Sequence, residues 1–215
     1  MKRKCSYNKM VIYTPITLNT ADKHLQEFDV GTAEALTPLE GGTTNSNFHV
    51  RTTKGQYVLT VMEPDEEAAQ IPWLAAYLDY LSQNNIPVPH LIKTKQGNIT
   101  TKIRGKDAIL TPFFQGKDAA ATPSTAFKAG ELLGKMNKLS ENYPHSHPQP
   151  WGITELRKKR TQVAEQNLST AQKESLAAFD RAFTWDGKDV SQSDISSLPK
   201  GVVHSDFFPD NILFK

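Results

Sequence analysis

Near the end of this 215-residue chain, His204, Asp206 and Asn211 lie between two short apolar runs, Val202-Val203 and Ile212-Leu213-Phe214. Phosphoryl transfer to an alcohol needs a carboxylate that accepts or orients the hydroxyl proton, and an oxygen ligand that holds Mg²⁺ close by. Asp206 and Asn211 have the right types and spacing for those two tasks, and His204 belongs to the same candidate catalytic group. The competing reading is a polar turn that happens to carry an Asp and an Asn. A second candidate is Gly41-Gly42-Thr43-Thr44-Asn45-Ser46-Asn47. A loop with few side chains lets backbone N–H groups approach phosphates, and its hydroxyls add donors. It matches neither a Walker A loop nor a GxGxxG fingerprint, and alone it reads equally well as a hairpin turn. A third is Ala108-Ile109-Leu110-Thr111-Pro112-Phe113-Phe114-Gln115-Gly116. Thr111 and Phe113 there could border an adenine ring, or the run could be a buried edge strand.

The elements that must position these residues follow from apolar periodicity. Leu18, Ala21, Leu25 and Phe28 share one helical face over residues 17 to 28, and Gly31 ends that helix. Three strands are expected at 33 to 40, 46 to 53 and 56 to 62, joined by Gly41–Asn45 and by Thr53-Lys54-Gly55. Residues 65 to 83 return to helical period with Ile71, Leu74, Leu78 and Leu81, and Pro87 and Pro89 forbid continuation. Strands near 98 to 103 and 107 to 114 form a hairpin across Arg104-Gly105-Lys106. The expectation is α+β: a five-stranded antiparallel sheet with one helix inserted between its third and fourth strands. The second half turns helical. Thr122 and Pro123 open an amphipathic helix with Phe127, Leu132, Leu133, Met136 and Leu139. Ser169 and Gln172 make a capping box for another helix that runs to about Phe183. Residues 143 to 152 read as loop, 185 to 200 as polar linker, 201 to 203 as a short strand.

Composition narrows the class. Apolar residues at 38% and charged residues at 22% suit a globular chain with a core. Lys plus Arg at 25 against 23 acidic residues leave a net charge of +2, which argues against nucleic acid or an anionic membrane as partner. No apolar run is long enough for a membrane span, and the basic start lacks the apolar core of a signal peptide, so a cytoplasmic setting is expected. The single cysteine, Cys5, excludes an internal disulfide and multi-cysteine metal sites. His145 and His147 in a Pro-rich loop read as surface residues, Arg157-Lys158-Lys159-Arg160 as a solvated helix face, and Trp73, Trp151 and Trp185 as packing residues.

Several of these pieces together carry a resemblance. Val11-Ile12-Tyr13-Thr14-Pro15, Leu39-Glu40-Gly41-Gly42-Thr43-Thr44-Asn45-Ser46-Asn47-Phe48, Gln56-Tyr57-Val58-Leu59-Thr60 and Gly201 through Phe214 resemble the homoserine kinases of the choline and aminoglycoside kinase group. The resemblance implies a bilobal protein-kinase-like fold, with an extension at 1–10, a nucleotide-binding lobe at 11–115 and part of a mainly helical lobe at 116–215. It implies ATP and Mg²⁺ as cofactors and L-homoserine as the small-molecule substrate, in threonine biosynthesis. Asp206 would be the catalytic base and Asn211 a metal ligand, with Gly41 through Asn47, Thr60, Thr111 and Phe113 around the nucleotide. Choline, methylthioribose or aminoglycosides are alternative substrates, and a non-catalytic remnant is an alternative role. Thr60 stands where the wider group places a phosphate-binding Lys or Arg, as homoserine kinases of this type also do. That leaves phosphate charge compensation unassigned. Asn137 stands where relatives usually show His. Relatives also continue past Phe214 to a second metal-binding Asp and further helices, which implies a C-terminally truncated chain of weak or no activity. Met10 is an alternative start. Glu66 or Glu67 could play the ion-pairing Glu of a kinase helix, but without a third-strand Lys they read as acidic residues favoured at a helix N-terminus.

Overall fold

Phe48 and Val50, Leu59 and Val61, and Ala108 and Leu110 are buried in alternation with polar or half-buried neighbours, the period that places one face of each strand in a core. The computed structural model describes residues 12–39, 44–118, 122–145, 152–182, 184–185, 188–189, 197–207 and 211–214. Its elements begin with α1 (Leu18–Leu25), β1 (Ala33–Pro38), β2 (Ser46–Thr52), β3 (Gly55–Val61), α2 (Asp65–Ala68), α3 (Ile71–Gln83), β4 (Thr101–Ile103) and β5 (Lys106–Pro112). The five strands form one antiparallel sheet in the order β1-β2-β3-β5-β4. This is the expected α+β sheet, with its helical insertion between the third and fourth strands.

Thr17 caps α1 through a bond from the Thr20 amide to its Oγ1, 3.2 Å long. Ala21 and Leu25 then meet Phe28, Phe48, Leu59 and Leu110 in the main core. The helix ends at Leu25 rather than Phe28. Phe28 instead bridges to Thr94, and Leu18, expected on the core face, is exposed. Gly31, at φ +79°, turns the chain into β1; a Cβ there would lie 2.2 Å from Thr53 Oγ1. The helix expected over 65 to 83 is two helices. Pro72 lacks an N–H and fits only a first helical turn, so α3 starts afresh at Ile71. Its buried side is Ile71, Ala75, Tyr77 and Leu81, with Leu74 turned outward. The strand expected from 98 begins at Thr101, because a turn closed by Thr94 N–H to Asn98 O (2.9 Å) and Asn98 N–H to Thr94 Oγ1 (3.0 Å) takes up the residues before it.

After β6 (Lys117–Asp118) comes α4 (Pro123–Ser140), opened by the Thr125 amide donating to Thr122 Oγ1 at 3.2 Å. Met136 is buried while Phe127 is 74% exposed. The Tyr80 hydroxyl donates to the Leu139 carbonyl at 3.0 Å, tying α3 to the end of α4. Next are α5 (Ile153–Ala164), α6 (Thr170–Ala182), and a small hairpin of β7 (Thr184–Trp185) and β8 (Lys188–Asp189) within the stretch expected to be linker. Residues 201–203 are not a strand; the last strand is β9 (Leu213–Phe214), antiparallel to β6.

The chain divides into two compact units, one of the residues up to Leu139 together with those from His204 onward, the other Ser140–Val203. In the second unit Arg160 grips Asp180 with two bonds, Nε at 2.8 Å and Nη2 at 2.6 Å, joining α5 to α6. The capping box is present, with Ser169 N–H donating to Gln172 Oε1 at 2.9 Å. Among the described residues no helix is long and apolar enough to cross a membrane.

Candidate active site

Asp206 and Asn211 meet. Asn211 Nδ2 donates both to the Asp206 carbonyl oxygen (2.8 Å) and to its carboxylate Oδ2 (3.1 Å). The donor end of the carboxamide is committed to Asp206, so its oxygen is the end that can meet a metal. Both side chains are exposed. The loop before them is bent at Ser205, whose φ of +55° is left-handed, and the Asp206 amide donates across it to the His204 carbonyl at 2.8 Å. A non-glycine residue in that region costs free energy, and such residues concentrate at functional loops. His204 meets Asp206 through this backbone bond and sets its ring edge-on to Phe207, with centroids 5.2 Å apart.

The segment is anchored on its far side by β9, where Leu213 pairs with Asp118 and Phe214 with Lys117. Gly116 allows the approach, since a Cβ there would lie 2.7 Å from Leu213 Cβ. The catalytic candidates are thereby tied to the stretch that leaves β5 just after Thr111 and Phe113. Phe113 donates its amide to the Gln56 carbonyl at 2.9 Å, so that amide is spent within the sheet, and its ring lies tilted against His49 with centroids 4.2 Å apart. Thr111 stands opposite Val58.

Gly41, Gly42 and Thr43 lie outside the described residues, as do Cys5, His147 and Trp151. The foot of their loop is described, and its side chains have tasks that the sequence did not disclose. Thr44 is exposed. Asn45 Oδ1 accepts from the Glu63 amide (2.9 Å) and its Nδ2 donates to Glu67 Oε2 (2.9 Å). Ser46 is fully buried; its hydroxyl donates to Glu63 Oε1 at 2.5 Å and accepts from the Tyr13 and Thr14 amides at 3.0 Å each. Asn47 Oδ1 accepts from Thr60 Oγ1 across the β2–β3 ladder at 2.8 Å. The Ser46 hydroxyl, expected near the nucleotide, is buried and engaged with Glu63 and the Tyr13 and Thr14 amides.

Glu63 is the residue that sequence reasoning missed. It accepts from Thr14 Oγ1 (3.0 Å), from Ser46 and from the Lys106 ammonium. Burial pushes its carboxyl up, but the bonds from Lys106, Ser46 and Thr14 outweigh that and hold it below the usual carboxylate value. Its only sequence signal is an acidic residue directly after a strand that ends in Val61-Met62. Trp73 packs as expected, stacked on Tyr77 at 5.3 Å.

The donors that could hold a cation are hard oxygens, one carboxylate and one carboxamide, which suits Mg²⁺ with waters and phosphate oxygens completing its shell. Among the described residues no group of three His, Cys, Asp or Glu side chains is placed to hold a metal by itself.

Comparison with known proteins adds the following. The phosphotransferase enzyme family, APH, matches residues 35–215. A homoserine kinase of Janthinobacterium sp. (strain Marseille) is 30% identical over 210 residues, covering 95% of this chain and 62% of that protein. A homoserine kinase of Caulobacter vibrioides is 29% identical over 214 residues, covering 96% of this chain and 64% of its own. The chain thus spans less than two thirds of the length of these relatives. Among solved structures, a microcompartment-associated aminopropanol kinase superposes with a TM-score of 0.63 at 18% identity, over 92% of this chain and 64% of that one. An aminoglycoside phosphotransferase from Ralstonia eutropha JMP134, described as putative, gives 0.56 at 13% identity, over 93% and 61%. The fold is that of protein-kinase-like phosphotransferases.

Proposed function

Because the chain belongs to the phosphotransferase enzyme family, we propose that it uses ATP to phosphorylate the side-chain hydroxyl of L-homoserine, a step of threonine biosynthesis in the cytoplasm. The observation that carries this reading is the bond from Asn211 to the Asp206 carboxylate, which pairs a proton acceptor with an oxygen ligand on one loop. Relatives named homoserine kinase, matching over nearly the whole chain, support the choice of substrate.

In this mechanism the Asp206 carboxylate takes the hydroxyl proton as the substrate oxygen bonds to the γ-phosphorus and the bond to the ADP oxygen breaks. Asn211 holds that carboxylate by Oδ2 and fixes its direction. When bound, Mg²⁺ neutralises charge on the phosphates. Asn211 Oδ1 would hold it, with waters and phosphate oxygens as its other ligands. Backbone groups of the segment from Gly41 to Asn47 would cover the nucleotide phosphates, and Thr60, bonded to Asn47, supports the loop foot rather than supplying charge.

The test is ADP formation by the purified chain with Mg-ATP and homoserine, choline, methylthioribose or an aminoglycoside. Of the four alcohols, homoserine is expected to be the one that supports whatever turnover the chain has, with Asp206→Asn lowering kcat by about 10²–10⁴-fold. Turnover untouched by that substitution removes Asp206 from the chemistry. Preference for another alcohol reassigns the substrate. No turnover from a folded chain favours the non-catalytic remnant.

A further inference from the structure

The loop foot is held by a contact with no counterpart in the phosphotransfer chemistry above. Protein kinases link a Lys on the third strand to a Glu on the following helix, which couples strand, helix and nucleotide. Here the third strand carries Thr60, whose hydroxyl is spent on Asn47. One of the three acidic side chains on the following helix, Glu67, accepts instead from Asn45 Nδ2 at 2.9 Å. The other end of the same carboxamide, Asn45 Oδ1, takes the Glu63 amide at 2.9 Å. One side chain thus closes both of its hydrogen-bonding ends on the stretch that follows β3, and both Asn45 and Glu67 are half-buried. The residue it reaches lies on α2, a helix of only four residues that Pro72 has separated from α3. A helix that short has little rigidity of its own. Its bond to Asn45 therefore fixes two things relative to each other, the foot of the loop and the turn of helix beside it.

We propose that Glu67 is a positioning residue for nucleotide binding, acting through Asn45: the Glu67–Asn45–Glu63 strut fixes Asn45 at the foot of the loop and so reduces the ordering of that foot that a bound nucleotide would otherwise have to impose. This rests on the reading that the loop covers nucleotide phosphates. The strut works as a hydrogen-bond acceptor and not as a counter-ion. A carboxamide oxygen at position 67 would accept from Asn45 Nδ2 just as the carboxylate does, whereas an alanine would release Asn45 and with it the Glu63 amide.

The experiment compares wild type, Glu67→Ala and Glu67→Gln, each confirmed folded by circular dichroism. Two quantities are read: amide hydrogen exchange at Glu63, and Mg-ADP affinity by calorimetry. In Glu67→Ala the Glu63 amide is expected to exchange at least tenfold faster and Mg-ADP to bind about tenfold more weakly. Glu67→Gln is expected to restore both to within about twofold of wild type. Glu67→Ala with unchanged affinity, or Glu67→Gln falling with Glu67→Ala, overturns the strut; the second result would make Glu67 a charge partner. A folded wild-type chain that binds no Mg-ADP fails the nucleotide reading itself, and is told apart from failure of the strut because in the latter case the wild type binds.

Discussion

Ser205 is the residue whose backbone the candidate site strains. At φ +55° it holds the turn that carries the chain from His204 to Asp206. A side chain branched at Cβ resists that region most strongly, and glycine resists it least. Ser205→Gly is therefore expected to leave stability unchanged or raise it by up to about 1 kcal/mol, while Ser205→Val lowers it by about 1–3 kcal/mol. Urea denaturation of the two variants reads the difference. Equal stabilities would mean that the turn opens freely in the native chain and that the geometry around Asp206 is not set by it. The same scale explains why Asn45, Ser46 and Asn47, which look like phosphate donors in the sequence, have side chains engaged within the fold. Their partners, Glu63, Glu67 and Thr60, lie 13 to 22 residues away along the chain.

At the scale of elements, the pairing of β6 with β9 is short, yet it returns the segment bearing Asp206 and Asn211 to the stretch that leaves the sheet. Gly116 makes it possible by close approach alone. Gly116→Ala would bring a methyl group into the 2.7 Å gap to Leu213 Cβ, and the strands would have to part. The expected cost is about 1–3 kcal/mol in urea unfolding, with faster amide exchange at Leu213 and Phe214. Unchanged exchange there would show that the strand pair yields without separating. The break between α2 and α3 belongs to this scale as well. Pro72 forces a new helix start at Ile71, which rotates the buried side onto Ala75 and Tyr77 and turns Leu74 outward.

For the whole molecule, the buried His24 and the half-buried Glu63 each contribute a pH dependence of stability. His24 lies in the main core beside Phe28, bonded to Thr101 Oγ1 at 2.6 Å, and burial lowers its pKa despite Glu27 at 3.7 Å. Unfolded, it titrates near the ordinary imidazole value of about 6.5. Between that value and its lower folded one the unfolded chain carries the extra proton, so stability falls as pH drops through mildly acidic values. Glu63 is also held low, so its stabilisation is present above the ordinary carboxylate range and is lost as pH falls below about 4.3. The melting temperature is expected to fall in two stages on acidification, with His24→Gln removing the first and leaving the second. A melting temperature that stays flat from pH 7 to about 5.5 would mean that the folded chain accommodates a charged His24.

The amino-acid sequence by itself determined the five sheet strands and most of the helices, in order, because period-two and helical apolar patterns, the Ser169 cap and the turn glycines act over a few residues and need no distant partner. It also determined the pairing of Asp206 with Asn211, since five residues of chain suffice to bring them into contact. Only the tertiary structure decided that Glu63 gathers Thr14, Ser46 and Lys106, that Glu67 serves Asn45, and that β9 closes on β6 beside Gly116. Each of those contacts joins residues far apart in the chain, and which polar side chain meets which acceptor depends on strand register and burial, which no local pattern encodes.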